Sequence, residues 1–446
     1  MSGQKKRPLE FSISGFPEYL PQYRRVEMRW LKSIAETFES YGYANIETPS
    51  VEAIETLMAK GEDVDKEIYA LTRLAADSAS SEEAKLALHY DLTVPFARYV
   101  ADHFSELTFP FKRYQMQRVW RGERPQEGRY REFTQCDIDV VDQNSVSLAY
   151  DAEMLEVVMT ALARIEVGPV LFQVSNRKLM QGVSEWLGAK DAQVLARLID
   201  KLGKMPREVM IERLRAECGL SDGNAEKCLA FADIKGSFAE VRARVAELGV
   251  TGAAAFDEGM AELDAVLSRV ESIASGSVRV EADLSISRGF DYYTGSIYEA
   301  RFVDFPGYSS ICAGGRYDNL VGSFIRRNLP GVGISIGLTR IFTKLLKEGR
   351  IEGERACPTQ ILMANLDAAA GPATASKAQV LRARGFSVEL YPEPARLDKQ
   401  LKYADRKGIP YVWLSFAEGD QVKPMFGGEQ RAADAASFVP ETPAVP

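Results

Sequence analysis

Four short stretches pair residue types that could act on a small polar ligand: Asp91 with Thr93, Arg121 with Glu123, Gln135 with Asp139, and Arg288 with Tyr292 and Tyr293. The last of these, SRGFDYYTG, sets an arginine, an acid and two adjacent tyrosines between glycines, which let a backbone approach closely. A pocket for a planar, polar molecule wants that mixture, and a twisted strand edge tolerates it. Gln135 and Asp139 are four apart, so on one strand they share a face, with Cys136 and Ile138 on the other. That face is either a seat for a cationic or polar molecule or an ordinary solvated surface. Arg121 and Arg340 are phosphate candidates, because a planar guanidinium meets phosphate oxygens two at a time. Arg340 falls in the first turn of an expected helix, at the positive end of its dipole, where a merely solvated arginine is the plainer reading.

Other chemistries are disfavoured. The chain has two histidines, His89 and His103, which weighs against histidine triads, metal clusters and proton shuttles. Its five cysteines, at 136, 218, 228, 312 and 357, include no C-x-x-C pair, so neither a disulfide framework nor a zinc site is expected. No metal is expected on protein side chains. The net charge of −8 does not suggest a nucleic-acid partner. Residues 112–131, KRYQMQRVWRGERPQEGRYR, nevertheless hold seven Lys/Arg against two Glu, and read as either a solvated basic loop or a polyanion site. No apolar run approaches the roughly 20 residues that span a bilayer, and no secretory segment opens the chain, so a cytoplasmic, membrane-free protein is expected.

The elements that must position these residues follow from periodicity. Tyr23, Val26, Trp30, Leu31, Ile34, Phe38 and Tyr41 recur at helical spacing, with Gly42 as the stop. Residues 60–86 read as a long loop with a helical piece, LALHYDL as a strand entering a helix near Pro95, and residues 134–140 as a half-buried strand. From about 186 to 278 helical periodicity dominates, and strands resume at VRVEADLSIS and TGSIYEARFV. GVGISIG feeds a helix. Its glycines at 331, 333 and 337 miss the dinucleotide fingerprint, and GGRYDNLVG lacks the ending of a P-loop. Beyond Glu354 a βαβαβ pattern indicates a small α/β domain with a mixed sheet, and the last fifteen residues read as a loose tail.

The combination resembles the histidyl-tRNA synthetases, a family of class II aminoacyl-tRNA synthetases. GFPEYLP, YGYANIETPSVE, WRGERPQEGRYREFTQCDID, SRGFDYYTG, AGGRYDNLVG and the strand–helix ending in GLTR carry the likeness, from about Gly15 to Gln430 and weakest across 186–278. It implies an α+β fold: a six- or seven-stranded antiparallel sheet flanked by helices, with a helical insertion and a C-terminal α/β anticodon-binding domain. The divisions are then 1–185 and 279–353 for the catalytic core, 186–278 for the insertion and 354–446 for the anticodon-binding domain. The implied reaction is ATP-dependent activation of L-histidine to its adenylate and transfer to the 3′ end of tRNA(His), by a homodimer, with Mg2+ accompanying ATP as substrate.

The resemblance also implies roles. Arg121 looks like the α-phosphate arginine, Glu123 its partner, and Arg340 the ligand of the γ-phosphate end. Arg288 resembles an arginine reaching the histidine carboxylate and α-phosphate. Asp91, Leu92 and Thr93 would take the amino group, Gln135 and Asp139 would complete the histidine site, and Tyr292, Tyr293 and Tyr317 would wall it, Tyr293 against the imidazole. Arg124, Gln126, Arg129 and Arg131 would grip the acceptor end of the tRNA, and Arg396, Lys399, Lys402, Arg406 and Lys407 would meet RNA in the C-terminal domain. Asp91 stands where many members have Glu, and CDID reads like eukaryotic members while RPQEGRYR looks bacterial. A catalytically silent relative, the regulatory subunit of ATP phosphoribosyltransferase, is the alternative. Those proteins usually lack the C-terminal domain and several site residues, whereas Arg121, Arg288 and a full-looking 358–430 segment stand here.

Overall fold

The computed structural model describes residues 12–58, 67–73, 85–203, 205–251, 253–274, 276–286, 293–318 and 321–440. Arg288, Tyr292 and most of segment 60–86 therefore lie outside the described residues. The chain divides into two compact units, residues 1–17 with 30–350, and 18–29 with 351–446.

Six strands make the centre of the larger unit: β1 (Phe111–Trp120), β2 (Glu132–Val141), β3 (Val170–Asn176), β4 (Tyr293–Phe302), β5 (Cys312–Tyr317) and β6 (Gly331–Gly337). They lie in the order β1-β2-β6-β5-β4-β3, every neighbour antiparallel. Three short strands extend this to nine. Ala44–Asn45 runs parallel to β1, Val278–Asp283 runs parallel to β3, and Lys235–Gly236 closes the far edge. The expected antiparallel sheet is thus present at the centre, and parallel pairing occurs where the outer strands return from distant parts of the chain.

Helix α1 (Pro21–Ser40) buries Val26, Trp30, Ile34 and Phe38, the stripe its periodicity demands, and Gly42 follows it in the left-handed region at φ 82°. α2 (Thr93–Asp102) follows the residues at 91 and 92. α3 (Ala149–Arg164) packs on β6, and α4 (Leu338–Lys347) leaves β6 directly and packs on β2. Between β3 and the strand at 278 the chain is mainly helical. Asp191, Ser221 and Ser237 cap three of its helices, Ser237 through a reciprocal capping box with Glu240. Two expectations change. Residues 111–120 are strand rather than loop, which leaves only 121–131 of the basic segment as a connection. Ala70–Leu71, within the stretch read as loop and helix, pairs with Leu86–Leu88 in a small three-stranded sheet.

The smaller unit holds β7 (Ile361–Met363), α5 (Gly371–Ala383), β8 (Val388–Leu390), α6 (Leu397–Lys407), β9 (Tyr411–Phe416), β10 (Gly419–Pro424) and β11 (Arg431–Ala432). Its sheet, β8-β7-β9-β10-β11, is parallel on one side and antiparallel on the other, the mixed sheet the pattern implied. The tail is not loose throughout. Phe438 is buried with its ring 5.5 Å from that of Trp413, and Arg384 holds the carbonyls of Ala435 and Phe438.

Candidate active site

One face of the central sheet forms a cleft, and registration explains its lining. Gln135, Asp137 and Asp139 alternate along β2, with Cys136 and Ile138 turned into the core. Across β6 they meet Gly337, Ser335 and Gly333, and across β1 Gln117, Gln115 and Arg113. The small residues of β6 make the floor. A Cβ on Gly333 would lie 2.1 Å from Asp139 Oδ1, and one on Gly331 would lie 2.4 Å from the Tyr317 ring. On β5, a Cβ on Gly315 would strike the Tyr293 ring at 2.8 Å. Gly331, Gly333 and Gly315 are therefore seats for an acid and two tyrosine rings, which is why they fit no nucleotide-loop spacing.

At one end the cleft is acidic and amidic. Asp139 is buried, its Oδ2 2.6 Å from Arg113 Nη2, and Tyr317 donates to its Oδ1 at 2.8 Å. Arg113 is wholly buried and stacks 4.3 Å from the Phe96 ring centre, so the pair is locked by packing as well as charge. Burial, then the Asp139 charge, holds the Tyr317 phenol well above its ordinary value, so it stays a donor. Asp91, at the start of α2, accepts from the Val94 amide at 3.1 Å and lines the cleft with Thr93. Gln135 donates to the Ser335 hydroxyl at 2.7 Å.

The other end is basic. Arg121 donates to the Tyr90 carbonyl at 3.0 Å, lies over the Phe133 ring at 5.1 Å and stands 4.0 Å from Glu123. Arg340, in the first turn of α4, is held by the Ser310 carbonyl, while its own carbonyl accepts from Tyr308 at 2.9 Å. Burial first, and Arg121 second, push the Arg340 guanidinium below its ordinary value. It remains charged, since a guanidinium keeps its proton inside proteins. Two cations facing one enclosed space repel each other, and an anion relieves that repulsion.

The cleft brings together Asp91, Thr93, Arg121, Glu123, Gln135, Asp139, Tyr293, Tyr317 and Arg340. Leu92 does not join them: its side chain is fully buried, and only its carbonyl faces Arg113, at 3.5 Å. Arg129, assigned to RNA, lines the same cleft and hydrogen-bonds Glu123 at 3.2 Å, while Arg131 is tied back to the Glu123 carbonyl. Arg124 and Gln126 are exposed. In the smaller unit Arg396, Lys399, Lys402 and Arg406 are exposed on or beside α6. Lys407 is not available in the same way, being held by Glu389 at 2.9 Å and Tyr403 at 2.8 Å. Asp137, Tyr130, Phe133, Ser310 and Ser335 also line the cleft and were not singled out from sequence. The alternation that selected Gln135 and Asp139 already contained Asp137. Neither histidine lines it: His89 lies 5.5 Å from the Trp120 ring and His103 meets Glu106.

The chain is similar to known proteins over nearly its full length. Residues 15–341 match the family described as histidyl-tRNA synthetase, and residues 360–414 an anticodon binding domain. The histidine–tRNA ligase of Thermobifida fusca (strain YX) is 52% identical over 429 residues, covering 96% of this chain and 97% of that protein. A crystal structure of histidyl-tRNA synthetase from Nostoc sp. PCC 7120 aligns with a TM-score of 0.83 at 36% identity, over 96% of this chain and 98% of that one. A structure from Bacillus halodurans C, titled as an ATP phosphoribosyltransferase regulatory subunit/histidyl-tRNA synthetase, shares the fold at 20% identity, with a TM-score of 0.72 over 89% and 97% of the two chains.

Proposed function

Since the chain belongs to the histidyl-tRNA synthetase family, we propose that it activates L-histidine with ATP and charges tRNA(His), and that the cleft on the central sheet is where both substrates meet. The observation that carries this is the polarity of one cavity, acid and amide at one end and Arg121 with Arg340 at the other. An amino acid seated with its side chain at the acidic end presents its carboxylate toward the arginines.

The carboxylate oxygen attacks the α-phosphorus of ATP, the bond to the β-phosphate oxygen breaks, and pyrophosphate leaves. The nucleophile is already ionised at neutral pH, so no general base is needed. Alignment and stabilisation of charge on the phosphates carry the reaction. Arg121 takes the α-phosphate, Arg340 the γ-phosphate end, and Glu123 orients Arg121. Arg288, outside the described residues, is assigned to the substrate carboxylate and α-phosphate by its place in SRGFDYYTG. Asp139 and Tyr317 recognise the imidazole, beside Tyr293. In the second step the terminal ribose hydroxyl of the tRNA attacks the acyl carbon and AMP leaves.

Mg2+ enters with ATP as part of the substrate. It binds chiefly to phosphate oxygens and water, with Glu123 the carboxylate at that end of the cleft. Arg124, Gln126 and Arg131 face the acceptor end, and Arg396, Lys399, Lys402 and Arg406 contact RNA backbone. The enzyme works as a homodimer in the cytoplasm. Among the described residues no helix is long and apolar enough to cross a membrane.

Exchange of labelled pyrophosphate into ATP without tRNA tests the activation step. The reading requires exchange with histidine and none with the other amino acids. Absence of exchange from folded, histidine-binding protein would favour the regulatory-subunit alternative.

A further inference from the structure

We propose that Asp137 is a specificity-determining contact for the α-ammonium group of the substrate, accepting from it through Oδ1 beside Gln135 Oε1. This rests on the histidine reading of the cleft and adds to it a residue that the sequence motifs did not single out.

Asp137 and Gln135 are two apart on β2 and both face the cleft. Asp137 is 3% exposed and Gln135 9%, yet Asp137 Oδ1 and Gln135 Oε1 have no hydrogen-bond partner among the described residues. One buried acceptor left unmatched costs about 1–3 kcal/mol, so two side by side mark a place for a donor-rich group. Ser335 holds Gln135, its hydroxyl accepting from the Gln135 amide at 2.7 Å, and stands across from Asp137 in the strand register. Gln135 Oε1 is thus held in position beside Asp137.

The substrates offer few groups that fit. ATP phosphates are repelled by a carboxylate and drawn to the arginine end. The imidazole has only two ring nitrogens, and Asp139 with Tyr317 already offers it an acceptor and a phenol. The α-ammonium brings three N–H donors and a positive charge.

The charged and titratable neighbours of Asp137 are Arg113 from β1, Asp139 on β2 and Asp91 ahead of α2. Burial pushes the Asp137 carboxyl up to about 7; Asp139 and Asp91 add to this, and Arg113 with the Ser335 hydroxyl opposes it. An arriving cation favours the carboxylate and expels the proton. Histidine binding is therefore proton-linked near neutrality and strengthens as pH rises through that range.

Asp137→Asn keeps the shape and one acceptor but removes the charge. The test measures KM for histidine and for ATP in pyrophosphate exchange, and inhibition by imidazolepropionate, which lacks the ammonium, from about pH 6 to pH 8.5. At the alkaline end the histidine KM should rise roughly ten- to a hundred-fold, the loss of a charge-assisted hydrogen bond. ATP KM and imidazolepropionate inhibition should stay within about two-fold, and the step near pH 7 should disappear from the ratio of the two ligands' affinities. Equal penalties for both ligands, or a histidine KM and pH profile like the wild type, would overturn the proposal. Calorimetry on the wild-type enzyme gives a second reading that needs no variant. Near pH 7, histidine should release more protons on binding than imidazolepropionate does, and equal counts would overturn the assignment. Failure of the parent reading looks different, since wild-type protein would then show no histidine-dependent exchange.

Discussion

A carboxyl that titrates near neutrality inside a protein has consequences for folding as well as for binding. Asp137 is protonated more readily in the folded chain than in the unfolded one, where its ordinary value is 3.8. Its contribution to stability is therefore full below that value and is lost as pH rises toward about 7. The loss is on the order of a few kcal/mol, at about 1.4 kcal/mol per tenfold in proton affinity. Asp137→Asn should accordingly raise the melting temperature of the substrate-free enzyme at pH 8 and gain nothing at pH 4. Equal gains at both would contradict the origin of the effect. Asp139, two residues on, is instead paired with the buried Arg113. Arg113→Met leaves that carboxylate uncompensated and should destabilise the larger unit by about 3–5 kcal/mol in urea unfolding, with partial recovery when Asp139 is also made apolar. An Arg113→Met enzyme as stable as the wild type would exclude a structural role for the pair.

The strands decide which of these residues could be read in advance. Polar–apolar alternation in TQCDIDV is a local signal, and the structure keeps it, with Gln135, Asp137 and Asp139 toward the cleft. The two end positions drew attention and the middle one did not, although period two selects all three. The role of the β6 glycines was not legible. Nothing local says that Gly333 faces Asp139, because that pairing joins residues almost two hundred positions apart. Only part of the basic segment was legible, for a related reason: Lys112, Arg113 and Arg118 sit on a strand whose fully buried Arg113 is paired with an acid from the next strand. Gly333→Ala tests the close approach. Its Cβ would meet the Asp139 carboxylate and the Ile138 carbonyl at 2.1 and 2.9 Å, so the histidine KM should rise at least ten-fold, with a stability loss of about 1–3 kcal/mol. Unchanged KM and stability would mean that the sheet yields there at no cost.

At the level of the whole molecule, the order of elements was legible, and the helical middle and the terminal α/β pattern were found from periodicity alone. The parallel outer strands and the packed tail were not, because both rest on contacts remote in sequence, such as Phe438 against Trp413. The smaller unit has its own core, around Ile361, Met363, Trp413 and Phe438. Substitutions confined to its exposed face should separate the two half-reactions. Lys399, Lys402 and Arg406 changed together to alanine should lower tRNA charging at least ten-fold and flatten its dependence on salt, with histidine-dependent exchange unchanged. Exchange falling in step with charging would show that the face does not act through RNA.

Histidine at the acidic end of one cleft and ATP at its basic end is the arrangement proposed for the activation step. The most direct measurement is pyrophosphate exchange with histidine and ATP varied independently in Asp139→Asn and Arg340→Ala. Asp139→Asn should raise the histidine KM ten-fold or more and leave the ATP KM within about two-fold, whereas Arg340→Ala should do the reverse and cost roughly 10²-fold or more in kcat/KM for ATP. Both KM values moving together in each variant, or exchange indifferent to both substitutions, would exclude that arrangement.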